Sequence, residues 1–113
     1  MHELSLANAL IQTAAAELKK LPETRILSIT VEIGRLSGVS ADALSFCLPI
    51  VAKGTPAEGC GVVFEEVAGL ADCNSCGKRY EMEEFYSLCP SCGGADRKIL
   101  QGKEFRLKNM EVV

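Results

Sequence analysis

Four cysteines of this chain stand in two matching pairs, Cys73-Asn-Ser-Cys76-Gly and Cys89-Pro-Ser-Cys92-Gly, with twelve residues between them. Two thiolates separated by two residues grip one ion from a tight turn, and a second pair closes a tetrahedral shell of sulfur. Such a shell suits Zn2+, with iron the less favoured alternative. Gly77 and Gly93 follow the pairs, and glycine accepts the positive φ that turns backbone N–H groups toward the sulfurs. Four thiolates leave no open coordination position, so the site reads as a folding staple and not as a catalytic metal. The residues between the pairs, including Tyr80, Met82, Phe85 and Tyr86, are expected to form a short hairpin packed beneath the metal.

The other candidate residues are sparser. Cys47 and Cys60 each stand alone in an apolar pattern, which is the setting of a small buried hydrophobe. A nucleophilic cysteine needs a base, and the only histidine is His2. A histidine at position 2 ordinarily belongs to a frayed end. Here, however, the α-amine of Met1, the His2 imidazole and deprotonated backbone amides lie within reach of one ion, and the bulk of His2 disfavours removal of Met1. Nitrogen-rich sets of this kind favour square-planar Ni(II) or Cu(II) over zinc. Histidine binds only when neutral, so capture should weaken below about pH 6. Glu3 has two readings: favourable charge just before a helix, or a metal ligand through its backbone nitrogen or carboxylate.

These residues need a scaffold. Leu4, Ala7, Ile11, Ala14, Leu18 and Leu21 recur in steps of three and four, which predicts an amphipathic helix over 4–21 ended by Pro22. Residues 26–33 alternate as a strand, with Leu27, Ile29, Val31 and Ile33 on one face. Ser40 is placed to cap a helix over 41–53 with Asp42 in its first turn. Leu44, Cys47, Leu48 and Val51 form its stripe, and Pro49 predicts a kink or an earlier end. A second strand is expected over 60–67 and a third over 104–113. The third breaks phase near Asn109, where a bulge would reconcile its two halves. The fold class is therefore α+β: a three-stranded sheet with two helices on one face, plus an inserted zinc-ribbon module. The expected division is residues 1–69 with 101–113 as one discontinuous domain, and 70–100 as the four-cysteine domain.

Bulk properties narrow the function. The 113 residues are 48% hydrophobic and 24% charged, ordinary for one small domain carrying a smaller module. No apolar run approaches the roughly 20 residues of a membrane helix, and the opening residues do not resemble a signal peptide. A cytoplasmic location is expected, where paired cysteines point to metal before disulfides. The net charge is −3. From Asp72 to Lys98 the module holds Lys78, Arg79, Arg97 and Lys98 against Asp72, Glu81, Glu83, Glu84 and Asp96. That balance disfavours nucleic acid as a partner.

Several segments together resemble one family. They are Met1-His2-Glu3-Leu4-Ser5 before an amphipathic helix, Glu32-Ile-Gly-Arg-Leu-Ser-Gly-Val39, and Ala43-Leu-Ser-Phe46. Gly54-Thr-Pro-Ala-Glu-Gly-Cys60 and the double Cys-x2-Cys module complete the set. In this order, over essentially the whole chain, they are similar to the HypA/HybF hydrogenase maturation factors. The resemblance implies that the Met1 amine, His2 and the Glu3 backbone ligate nickel as cargo, and that Cys73, Cys76, Cys89 and Cys92 hold structural zinc. It implies a metallochaperone, not an enzyme, that delivers Ni(II) toward the precursor of the large subunit of nickel–iron hydrogenase. Its other implied partner is a nickel-binding GTPase of maturation; a monomer or weak homodimer is expected. The competing reading is a zinc-ribbon adaptor in protein or nucleic-acid complexes with an idle amino terminus. A small zinc enzyme is the third, and the closed thiolate shell counts against it.

Overall fold

The computed structural model describes residues 2–113, His2 by its backbone alone. In chain order the elements are α1 (His2–Leu18), β1 (Ile26–Gly34), α2 (Ala41–Ala52), β2 (Gly61–Val67), β3 (Gly69–Cys73), β4 (Arg79–Met82), β5 (Arg97–Gln101) and β6 (Phe105–Val112). They make two three-stranded sheets, ordered β2-β1-β6 and β4-β3-β5. The chain divides into two compact units. One comprises the chain through Glu32, Val39–Glu65 and Arg106–Val113; the other comprises Ile33–Gly38 and Glu66–Phe105. No described helix is long and apolar enough to cross a membrane.

The first unit is built on the apolar stripes of its helices. Ala7, Leu10, Ile11, Ala14 and Leu18 of α1 are buried, as are Leu44, Cys47, Leu48 and Ala52 of α2. Leu44 and Leu48, buried whole, each contribute about 2 kcal/mol relative to exposure. The Ser40 hydroxyl accepts from the Ala43 N–H at 3.2 Å, satisfying one of the first donors of α2. At its other end the Ala52 carbonyl accepts from the Thr55 hydroxyl at 2.6 Å and from the Thr55 N–H at 3.0 Å. Lys108 pairs with Glu65 at 2.6 Å and Arg106 with Glu32 at 2.7 Å. Being exposed on at least one side, these pairs add little to stability.

Four expectations are corrected here. Helix α1 starts at His2 and ends at Leu18, so Glu3 lies inside the first turn and Leu21 falls beyond the helix, exposed. The residue before a proline is driven out of the helical region, and residues 19–21 close instead in turns. Leu27 is 50% exposed, and Ile26 takes its place in the core. The inward phase of β1 slips by one residue between Ile26 and Ile29; the Ile26 N–H is tied to the Pro56 carbonyl at 3.1 Å. Pro49 does not end α2, which runs on through it to Ala52. Leu48 and Ala52 are buried on either side of it, and that anchorage offsets the hydrogen bond a proline removes. Val51 is only half-buried. The break expected near Asn109 is present, since Lys108 and Asn109 are exposed in succession within β6.

The second unit is held by β3. It pairs antiparallel with β4, Ala71 opposite Tyr80, and with β5, where the register shifts between Leu70 and Ala71. Alternation sends Ala71, Cys73, Tyr80 and Met82 inward, and Leu36, Cys89 and part of Ile99 complete the core. Leu36 comes from the turn after β1. Backbone bonds fix that turn: Gly34 N–H to the Glu104 carbonyl at 2.7 Å, and Leu36 N–H to the Gly102 carbonyl at 2.7 Å. A methyl on Gly34 would run into the Gly102 carbonyl, so only glycine lets the strands approach this closely.

Candidate metal centre

Each cysteine pair closes its own small loop, and the two loops are built alike. The Cys73 N–H bonds the Lys78 carbonyl at 2.9 Å, and the Gly77 N–H returns to the Cys73 carbonyl at 2.9 Å. In the second loop the Cys89 N–H bonds the Gly94 carbonyl at 3.1 Å, and the Gly93 N–H bonds the Cys89 carbonyl at 2.8 Å. Gly77 and Gly93 take φ of 77° and 73°, the left-handed region where a side chain is disfavoured. Asn74 joins the loops: its N–H reaches the Asp96 carbonyl at 3.0 Å, and its amide nitrogen donates to the Asp96 carboxylate at 3.0 Å.

The result is a four-sulfur cluster. The ligand atoms of Cys73, Cys76, Cys89 and Cys92 all lie within 4.8 Å of one another. Cys73 Sγ is 3.5 Å from Cys92 Sγ, and Cys76 Sγ is 3.6 Å from Cys89 Sγ. A zinc ion with Zn–S bonds of about 2.3 Å sets its sulfurs roughly 3.8 Å apart at tetrahedral corners. Donor type, number and spacing therefore fit Zn2+. Cys73 and Cys89 are buried, while Cys76 and Cys92 are exposed, so each loop gives one sulfur to the core and one to the surface.

The surrounding backbone prepares two of the thiols for a cation. The Cys76 N–H, 3.5 Å from Cys73 Sγ, is the main reason that the Cys73 thiol is held down at about 6; the Ser75 N–H and the thiols of Cys92 and Cys76 add to it against the effect of burial. Cys89 is lowered in the same way, first by the Cys92 N–H, with Ser91 assisting against burial. Cys92 is pushed up to about 11. The Gly94 N–H favours its thiolate, but its bond to Cys73, burial, and bonds to Cys76 and Cys89 together outweigh that. A thiol in an apolar, donor-poor setting behaves differently. Cys60 is raised by burial, against a smaller backbone hydrogen bond, which makes it a poor nucleophile.

Sequence reasoning placed the four ligand candidates together but misassigned part of what surrounds them. Tyr80 and Met82 do lie in the core beside Cys73 and Cys89. Phe85 and Tyr86 do not; both are exposed. Phe85 instead lies under two cations, with Arg97 and Lys103 each 5.4 Å from its ring centre, and Arg97 also donates to the Phe85 carbonyl. Leu36 was missed as a core residue, because nothing local marks a contact across more than thirty residues. Cys47 is buried as expected, whereas Cys60 is only half-buried. Of the expected nickel ligands, Met1 and the His2 side chain lie outside the described residues. Glu3 stands in the first turn of α1.

Fold and site together define a small α+β protein that carries a four-thiolate metal module. A family model described as "Hydrogenase/urease nickel incorporation, metallochaperone, hypA" matches residues 1–112. A hydrogenase maturation factor HypA from Geobacter metallireducens is 37% identical over 112 residues, covering 99% of each chain. One from Rippkaea orientalis is 35% identical over 112 residues, covering 99% of this chain and 96% of its own. The solution structure of the nickel metallochaperone HypA from Helicobacter pylori superimposes with a TM-score of 0.71 at 20% identity, covering 98% of this chain and 97% of that one. The chain belongs to the HypA family of nickel-incorporation metallochaperones.

Proposed function

We propose that this chain captures Ni(II) at its amino terminus and delivers it during maturation of a nickel–iron hydrogenase. The ligands are the Met1 amine, the His2 imidazole and the Glu3 backbone nitrogen, and nickel is cargo. Cys73, Cys76, Cys89 and Cys92 hold zinc as a staple, which fits a protein that is not an enzyme. Nickel binding belongs to the domain made by residues 1–69 and 101–113, and zinc binding to residues 70–100. The hydrogenase large-subunit precursor receives the ion, and a nickel-binding GTPase takes part in the transfer.

One observation carries the reading: α1 begins at His2. The first four N–H groups of a helix have no carbonyl one turn earlier. The Glu3 nitrogen is therefore not committed to the helix ladder and can lose its proton to a metal. The helix behind it holds that nitrogen in place, and a delivery site must be accessible and labile. The four-sulfur cluster offers neither property, since its coordination sphere closes on itself.

Titration of Ni(II) into zinc-loaded protein with an untagged Met1, beside a His2→Ala variant, tests this by calorimetry and absorption spectroscopy. One tight equivalent in the parent that disappears in the variant is expected, with the spectrum of a square-planar ion. Equal binding in both, or none in either, overturns the terminal site and leaves the zinc-ribbon adaptor as the better account.

A further inference from the structure

Three large apolar side chains crowd one loop of the second unit. Phe85 is 54% exposed, Tyr86 77% and Leu88 54%. A single exposed apolar residue is ordinary, but a group of them on one loop marks a binding surface. The loop is braced. The Glu84 N–H donates to the Ser87 hydroxyl at 3.2 Å, and the Ser87 N–H returns to the Glu84 carbonyl at 3.0 Å. Arg97 grips it from β5, donating to the carbonyls of Phe85 and Ala95. The patch is therefore held ready, and little ordering entropy opposes a ligand. Its charge is the second observation. Arg97 and Lys103 each lie 5.4 Å from the centre of the Phe85 ring, whose face attracts both cations. No carboxylate among the described residues pairs with either: Glu83 is taken by Arg35 at 3.0 Å, and Glu84 reaches neither. The guanidinium of Arg97 spends its bonds on neutral carbonyls. The Lys103 ammonium has no hydrogen-bond partner among the described residues, so its donors are open.

We propose that the 84–88 loop, with Arg97 and Lys103, docks an acidic segment of another polypeptide: a carboxylate bonds Lys103 beside the Arg97 charge, and an apolar side chain next to it packs on Phe85, Tyr86 and Leu88. Two cations drawn to one ring repel each other, and a carboxylate between them removes that repulsion. Charge complementarity selects the sign of the ligand, and the three apolar side chains select its second feature. Tyrosine and arginine are also the residues that most often carry binding energy at such surfaces. A nucleic acid fits less well. Its row of phosphates would run against Glu83 and Glu84, both exposed beside the patch, whereas a short segment with one or two carboxylates avoids them. The contact is small, so the complex should be weak and transient. The proposal does not depend on nickel binding at the amino terminus.

Amide chemical shifts of the full, zinc-loaded chain test it, read by nuclear magnetic resonance during titration with a capped hexapeptide in which aspartate and glutamate flank a phenylalanine. The resonances of residues 85–88 and of Lys103 are expected to move together, with a dissociation constant of about 0.1–1 mM. Lys103→Glu should weaken binding about tenfold, since it sets like charges together. Tyr86→Ser should weaken it about fivefold through lost apolar contact. Both side chains are exposed, so both variants should keep the parent spectrum away from the loop. A peptide with asparagine and glutamine in place of the acids should bind about tenfold more weakly than the acidic one. No shift at the loop overturns the proposal. So does a neutral peptide that binds as well as the acidic one, or binding indifferent to Lys103→Glu. An oligothymidylate that moves the same resonances at lower concentration than the peptide overturns it in favour of a phosphate ligand.

Discussion

The proton on Cys92 is one that an incoming zinc ion must displace. With Cys73 held at about 6 and Cys92 at about 11, near neutrality the first favours thiolate and the second keeps its proton. Zinc binding should therefore release protons to buffer, and its apparent affinity should fall as pH drops through about 6, where Cys73 is protonated too. Competition with a chromophoric chelator between about pH 5 and about pH 8 measures this; an affinity flat across that range would contradict the assignment. Tyr80 supplies a second residue-level expectation. Its hydroxyl is buried without a hydrogen-bond partner among the described residues. Tyr80→Phe should then cost nothing, or raise stability by about 1 kcal/mol, in urea unfolding of the zinc-loaded protein. Gly34→Ala should do the reverse and lose about 3 kcal/mol or more, because the added methyl meets backbone and not a yielding side chain.

At the scale of elements, α2 shows how tertiary burial overrides a local rule. Pro49 sits in the helix interior, where its missing N–H leaves the Ser45 carbonyl without its usual partner. Pro49→Ala is expected to stabilise the protein by about 1–3 kcal/mol in chemical denaturation; a loss would mean that the ring's place in the surface cavity it lines with Leu48 and Cys60 matters more. The interval of leucines in α2 and the alternation of β6 were legible, since α2 buries one face and β6 turns one partly buried face inward. Leu27 and Leu21 were not. Whether a leucine beside Ile26 or Pro22 turns inward depends on a phase slip and a turn that no periodicity encodes. The same holds for Phe85 and Tyr86, whose aromatic character suggested burial while two cations kept Phe85 at the surface.

Across the whole molecule, the paired cysteines were legible because metal geometry constrains spacing directly. The six-residue turn that brings Leu36 into their core was not, because that contact is made between segments far apart in sequence. Two compact units with separate cores should respond differently to loss of metal. A chelator is expected to unfold β3, β4 and β5 and to leave most of the helical signal of α1 and α2, because zinc contributes folding energy only where it binds. Urea unfolding followed by circular dichroism checks this. One transition that disappears entirely on chelation would show instead that the helices depend on the metal.

The likeness of the two cysteine loops bears on how the metal enters. Each loop is closed by its own pair of backbone hydrogen bonds and so can form without the other. An ion arriving from a donor can be chelated by one loop first, through two sulfurs, and remain partly bound to the donor. The second loop then displaces that donor in an intramolecular step, whose rate does not depend on protein concentration. Zinc loading should thus show a fast second-order phase followed by a first-order one.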